Sequence, residues 1–196
     1  MKGFKIIKAE NKLVLPLFEG EVKMIDQIFN QKTYRGLRNY CIVHLMLDQG
    51  LRSGDVVSLT TRSVNFDESY IIVLNGKGDK DRIVPLAKRL RQPLYKYLTF
   101  FRPHTSEHDH LFCSLQDPEK PFTLDAVKSL FSRIRKETEI VRLKPHLLRH
   151  TFATSFILGG GDLESLRLYL GHSSYETTQN YLHLASLYER MGSDVY

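Results

Sequence analysis

The stretch "SYIIVLNGKGDKDRIVPL", residues 69–86, is where the chain changes character. Two short runs rich in Ile and Val flank a polar connection that carries Gly76 and Gly78. β-branched residues suit a pleated strand, and glycines let the chain reverse, so the pattern predicts a β-hairpin. Lys77 then stands at its exposed tip, with Lys80 and Arg82 following and Asp79 and Asp81 between them. Outward from the hairpin the spacing turns helical. Upstream, "EVKMIDQIFN" places Val22, Ile25 and Phe29 on one face, and a second helix is expected from Thr33. Its inward residues are Tyr34, Leu37, Cys41, His44/Leu45 and Leu47, and Gly50 caps its end, where a left-handed conformation is least costly for glycine.

Downstream, "LAKRLRQPLYKYLTFF" reads as helix interrupted by Pro93, followed by a polar loop and a short buried strand, "LFC". "TLDAVKSLFSRIRKETEI" is amphipathic, with Leu124, Val127, Leu130, Phe131 and Ile134 on one face and Thr123 as N-cap. Pro145 opens the next helix at a position where its missing N–H goes unnoticed, and the glycines at 159–161 close it. Asp162 can cap "LESLRLYL", and Ser173 or Ser174 can cap a last helix running through Tyr181. The expected fold class is α+β, mainly α-helical with a small antiparallel β-sheet. Residues 1–17 read as leader or linker, and 18–196 as one folded unit with neither repeat nor low-complexity segment.

Composition narrows the function classes. An apolar fraction of 42% and a charged fraction of 26% are ordinary for a globular protein. No apolar run has the length of a membrane span, the basic amino terminus lacks a signal-peptide core, and two cysteines make no disulfide framework. A cytoplasmic protein with no membrane partner is expected. The net charge of +6 favours a polyanion, since neutralising phosphates releases counterions, although a solvated basic surface would give the same count.

Three short motifs can carry chemistry. In "KPHLLRH", His146 and Arg149 share a helical face, where a guanidinium and an imidazole suit a phosphate. Taken alone, H-x-x-R is common and a surface pair is the simpler account. In "GLRSGDVVSL", Arg52 sits among apolar residues and points at something anionic, or simply pairs with Asp55. The hairpin connection has a lysine among glycines but lacks G-x-x-x-x-G-K-[ST], which excludes a nucleotide-binding loop of that type. "HTSEHDHLFC" offers His104, His108, His110 and Cys113 as metal ligands, but the spacing matches no usual zinc pattern and a polar loop is the better account.

Order and spacing add what the single motifs lack. "GLRSGD", "GKGDKDR", "PHLLRHTFAT" and "LGHSS", followed by a tyrosine nine residues past His172, resemble the tyrosine recombinase (phage integrase) family over about residues 18–190. The resemblance implies the fold of that family's catalytic domain, with a carboxy-terminal tail helix and without the family's amino-terminal DNA-gripping domain. It implies that Arg52, Lys77, His146, Arg149, His172 and Tyr181 are catalytic, with Asp55 in place of the acid, often Glu, that supports the first arginine. Tyr181 would be the nucleophile; Tyr175 would be a packing residue or a DNA-backbone contact, and Tyr188 lies too far from His172 for the family spacing.

The implied activity is cleavage and rejoining of double-stranded DNA through a 3′-phosphotyrosine, in the setting of recombination or integration by a mobile element. Arg52 and Arg149 would grip nonbridging phosphate oxygens, His172 would add a hydrogen bond, Lys77 would protonate the leaving 5′-oxygen and His146 would help move the tyrosine proton. No metal or nucleotide cofactor and no small-molecule substrate are implied. The partners would be duplex DNA and further copies of the chain in a tetramer, at the nucleoid. Rival expectations are a type IB topoisomerase-like enzyme and a catalytically silent DNA-binding module.

Overall fold

The computed structural model describes residues 14–74, 81–106, 109–171, 178, 181, 182, 185, 186, 188, 195 and 196. Seven helices are described in full: α1 (Glu19–Gln27), α2 (Tyr34–Leu47), α3 (Ser53–Ser58), α4 (Lys88–Lys96), α5 (Leu124–Thr138), α6 (Pro145–Leu158) and α7 (Leu163–Leu170). One antiparallel sheet of order β1-β2-β3 lies between α3 and α4: β1 (Val64–Asn65), β2 (Tyr70–Val73) and β3 (Arg82–Pro85). The α+β class is therefore the observed one. Its helix starts follow the local chemistry: the Thr33, Thr123 and Asp162 side chains accept the N–H groups of Gly36, Ala126 and Ser165.

The centre of the molecule is α2. Every residue from Gly36 to Leu47 is buried, so the single inward face read from the sequence undercounts it. A helix surrounded on all sides buries its whole circumference, and α3, α4 and α6 pack around it. The apolar interior continues through Val22, Ile25, Phe29, Leu90, Leu94, Phe131 and Ile134. Within α2, His44 is fully buried between two carboxylates: Asp26 of α1 and Asp48, each 2.8 Å from a ring nitrogen. Arg89 of α4 contacts Asp26, and Tyr196 Oη donates to the other oxygen of Asp48 at 2.7 Å.

The hairpin holds, with Tyr70 opposite Pro85 and Val73 opposite Arg82. Ile71 and Val73 of β2 face inward, and on β3 the inward residues are Val84 and Arg82. The connection holding Lys77 lies outside the described residues.

Several expectations need correction. Pro93 does not interrupt α4; Leu90 and Leu94, buried four residues apart, hold the helix across the missing hydrogen bond until it widens into a π-turn at Tyr97–Phe101. Leu124 is 48% exposed, because Cβ bonds tilt toward a helix's amino end and the first residue overhangs it. Leu111, Phe112 and Cys113 are buried but form isolated bridges, Thr60 with His110 and Cys113 with Pro121, not a strand.

Residues 14–17, read as leader, lie against α6. Leu17 is fully buried and its N–H donates to Thr151 Oγ1 at 2.9 Å, while Arg142 donates to the Leu15 carbonyl at 2.8 Å. The far end of the chain comes back to the same place, with Val195 bridging Phe18 and the Tyr196 N–H donating to the Leu17 carbonyl.

Candidate active site

The site begins where α2 stops. Gly50 has φ +65°, and a Cβ there would sit 2.4 Å from Phe152 Cδ1 and 3.0 Å from Leu170 Cδ2, so only glycine lets α6 and α7 close on this turn. Two residues on, Arg52 is the N-cap of α3, and Asp55 at the third helical position takes its backbone N–H at 2.8 Å. This is one half of a capping box, and it fixes the direction in which the Arg52 side chain leaves the helix. The Arg52 guanidinium is half-buried and donates to the Gly171 carbonyl at 3.2 Å.

Pro145 starts α6 with His146 exposed in its first turn, and one turn later Arg149 enters the interior at 6% exposure. Arg149 donates to the Gly50 carbonyl and to the Leu170 carbonyl, both at 2.6 Å. Arg82 arrives from β3, donates to Asp55 Oδ2 at 2.5 Å and to the Tyr169 carbonyl at 3.0 Å. Three consecutive carbonyls at the end of α7, those of Tyr169, Leu170 and Gly171, thus each accept from a different arginine. A helix leaves its last carbonyls without intrahelical donors and carries partial negative charge there, which is where cations are best placed. Gly171 closes α7 in the left-handed region, φ +62°, with the Arg82 stem against it.

Tyr181 packs against the small cluster of Ala153, Leu166 and Leu170, with its ring 5.4 Å from that of His150. Burial raises its phenol pKa and the Arg149 charge offsets part of that rise. Arg149 is pulled down to about 10, first by burial and then by the charges of Arg52 and Arg82, with Asp55 and Tyr181 opposing. Three guanidiniums therefore crowd a site that holds Asp55 and the dipoles of α7, and an anion placed among them would relieve the strain on all three. His150 is a different matter: burial lowers its pKa against the opposing pull of the Val14 carbonyl, to which its Nε2–H donates at 2.7 Å, and this bond ties the amino-terminal stretch to α6.

Of the residues singled out in the sequence, Arg52, Asp55, Arg149 and Tyr181 converge, and His146 stands one helical turn before Arg149. Lys77, His172 and Tyr175 lie outside the described residues. Tyr188 is 1% exposed, closed to any polymeric substrate. Arg82 is the residue the motif reading passed over. Its signal was the strand alternation itself: in "RIVP" an arginine shares the inner face with Val84, and a buried cation needs an acid.

The family model for the phage integrase family matches residues 17–187. The chain belongs to the phage integrase family. Among its relatives, tyrosine recombinase XerC of Staphylococcus haemolyticus is 32% identical over 182 residues, covering 91% of this chain and 60% of the relative. The chain thus spans well under two thirds of that relative's length. XerA recombinase shares the fold with a TM-score of 0.78 at 32% identity, over 93% of this chain and 66% of the other. XerH site-specific recombinase, bound to a palindromic difH substrate in a post-cleavage complex, matches with a TM-score of 0.75 at 25% identity, over 92% and 53%. The phage integrase fold is thus shared along almost the full length of this chain, and the arginine cluster lies within the matched span.

Proposed function

We propose that this chain is the catalytic part of a site-specific DNA recombinase that cleaves and rejoins strands through a tyrosine–phosphate bond. The observation that carries the proposal is the convergence of Arg52 and Arg149 beside Tyr181, held by the carbonyls that end α7. The XerH match, with a complex caught after cleavage, supports the same reading.

Tyr181 Oη attacks the phosphorus as its proton passes to a base, the role the exposed His146 takes one turn from Arg149. Because burial keeps the phenol protonated, attack and proton loss belong to one step. The bond to the 5′-oxygen breaks, and Lys77 supplies the proton that the leaving oxygen needs. Arg52, Arg149 and His172 bind the nonbridging oxygens, whose charge grows in the pentacoordinate transition state, the kind of preorganised stabilisation usually worth most. The product is a 3′-phosphotyrosine and a free 5′-hydroxyl. A second 5′-hydroxyl reverses the step, so that strands can be exchanged without external energy.

Duplex DNA is the substrate, consistent with a net charge of +6, and several copies would act together as a tetramer at the nucleoid. No helix among the described residues is long and apolar enough to cross a membrane. Residues 1–17 serve in this reading as the lead-in to a catalytic domain over 18–196. A suicide duplex nicked beside the cleavage point loses the 5′-hydroxyl fragment and traps the intermediate. Wild type should accumulate a denaturation-resistant protein–DNA adduct, and no adduct with any such duplex would refute the proposal. Relaxation of supercoiled plasmid without strand exchange between two sites would favour a topoisomerase-like enzyme.

A further inference from the structure

We propose that Arg82 is a positioning residue for the cleavage step: from β3 it locks Asp55, and through Asp55 the amino end of α3 that aims Arg52, to the carboxyl end of α7. The proposal rests on the recombinase reading above. A single carboxylate oxygen, Asp55 Oδ2, receives both the Arg52 backbone N–H at 2.8 Å and the Arg82 guanidinium at 2.5 Å. The same guanidinium reaches the Tyr169 carbonyl at 3.0 Å, and its stem lies where a Gly171 side chain would be, 3.3 Å from that imagined Cβ. Arg82 thus spans three elements that each deliver part of the site: α3 with Arg52, α7 with the residue preceding His172, and β3 leading out of the connection that holds Lys77.

The placement argues against plain packing. Arg82 is 8% exposed on the inner face of β3 beside Val84, where an apolar side chain would avoid the desolvation of a charge. A buried ion pair is a poor way to gain stability and a good way to fix one geometry. Without Arg82, Asp55 would be a buried carboxylate missing its cation, and it would draw the guanidinium of Arg52, three residues away at the same helix end. Turning Arg52 toward Asp55 draws it from the Gly171 carbonyl and from the phosphate. The damage should fall on the transition state. DNA affinity, spread over many phosphate contacts, should barely change.

The test uses Arg82→Met, close in length and uncharged, with Arg82→Lys and Asp55→Asn, in the suicide-duplex assay at saturating DNA. Arg82→Met should slow single-turnover adduct formation by about tenfold or more, as small misplacements of catalytic groups do, while unfolding stays cooperative. Its DNA dissociation constant should remain within about threefold of wild type. Arg82→Lys should recover part of the rate. In combination with Asp55→Asn, Arg82→Met should add little further loss, since both break one connection. Arg82→Met reacting at the wild-type rate, a loss confined to DNA affinity, or losses that multiply in the double variant would each overturn the proposal. If wild type forms no adduct, the recombinase reading itself falls; if wild type reacts and Arg82→Met reacts equally fast, only this inference does.

Discussion

Replacing Gly50 by alanine should couple a stability defect to a catalytic one, because the same residue closes a packed junction and supplies a carbonyl to Arg149. The added methyl would lie 2.4 Å from Phe152 Cδ1, 2.9 Å from its Cε1 and 3.0 Å from Leu170 Cδ2. Relief requires the Phe152 ring and the Leu170 side chain to shift, or α6 and α7 with them, and overpacking of this kind costs about 1–3 kcal/mol. The φ of +65° adds about 1–2 kcal/mol for any residue with a Cβ. Together these predict a loss of roughly 2–5 kcal/mol, or about 4–20 °C in melting temperature for a chain of this size. Urea unfolding measures the first quantity and calorimetry the second. The adduct assay at a temperature where the variant is still folded reads the displacement of Arg149, whose NH1 bonds the Gly50 carbonyl at 2.6 Å. Gly54, with nothing within 4 Å of an added Cβ and an ordinary backbone, is the control. Gly50→Ala as stable and as active as Gly54→Ala would show that this junction does not depend on glycine.

Further outcomes follow from neighbouring features. Arg149→Lys leaves one ammonium to serve two carbonyls 2.6 Å away and a phosphate, and single-turnover cleavage should fall by about 10²–10³ while the fold survives. Burial alone would lower the pKa of His44, but Asp26 and Asp48 outweigh it and the net shift is upward. Its contribution to stability is therefore complete below the unfolded value of about 6.5 and disappears as pH rises through the higher folded value. Melting temperature should decline over that window, and His44→Gln should flatten the decline. Deleting Tyr196 removes its hydrogen bond to Asp48 and its contact with Arg89, and should lower stability by about 1–3 kcal/mol in urea unfolding.

Much of the fold was legible because its signals are local. Thr33, Thr123, Asp162 and Pro145 mark helix starts by chemistry that acts within one turn, and the Ile/Val runs around Gly76 and Gly78 mark a hairpin by strand preference and turn freedom. What misled were positions decided by the tertiary environment. Pro93 breaks an isolated helix, but Leu90 and Leu94 anchored in the core carry α4 past it. Arg38 and His44 of α2 are buried because the Cys113 carbonyl and Asp26, distant in sequence, meet them, which no periodicity foretells. For the site, Arg52, Asp55 and Arg149 were recognisable by motif spacing. The Asp55 connection was not: its carboxylate serves the Arg52 backbone and a guanidinium 27 residues away on β3. The assembly of three arginines on the last carbonyls of α7 likewise depends on how four separate elements pack.

Tyr181 is the residue proposed to bond to DNA, and peptide mapping of the trapped adduct identifies that residue. Wild type is reacted with a nicked suicide duplex, digested with protease and nuclease, and the nucleotide-bearing peptide is identified by mass spectrometry. The modification should lie on Tyr181, and Tyr181→Phe should yield no adduct while binding the same duplex. Nucleotide on Tyr175, Tyr188 or any other residue, or adduct formation by Tyr181→Phe, would rule Tyr181 out as the nucleophile.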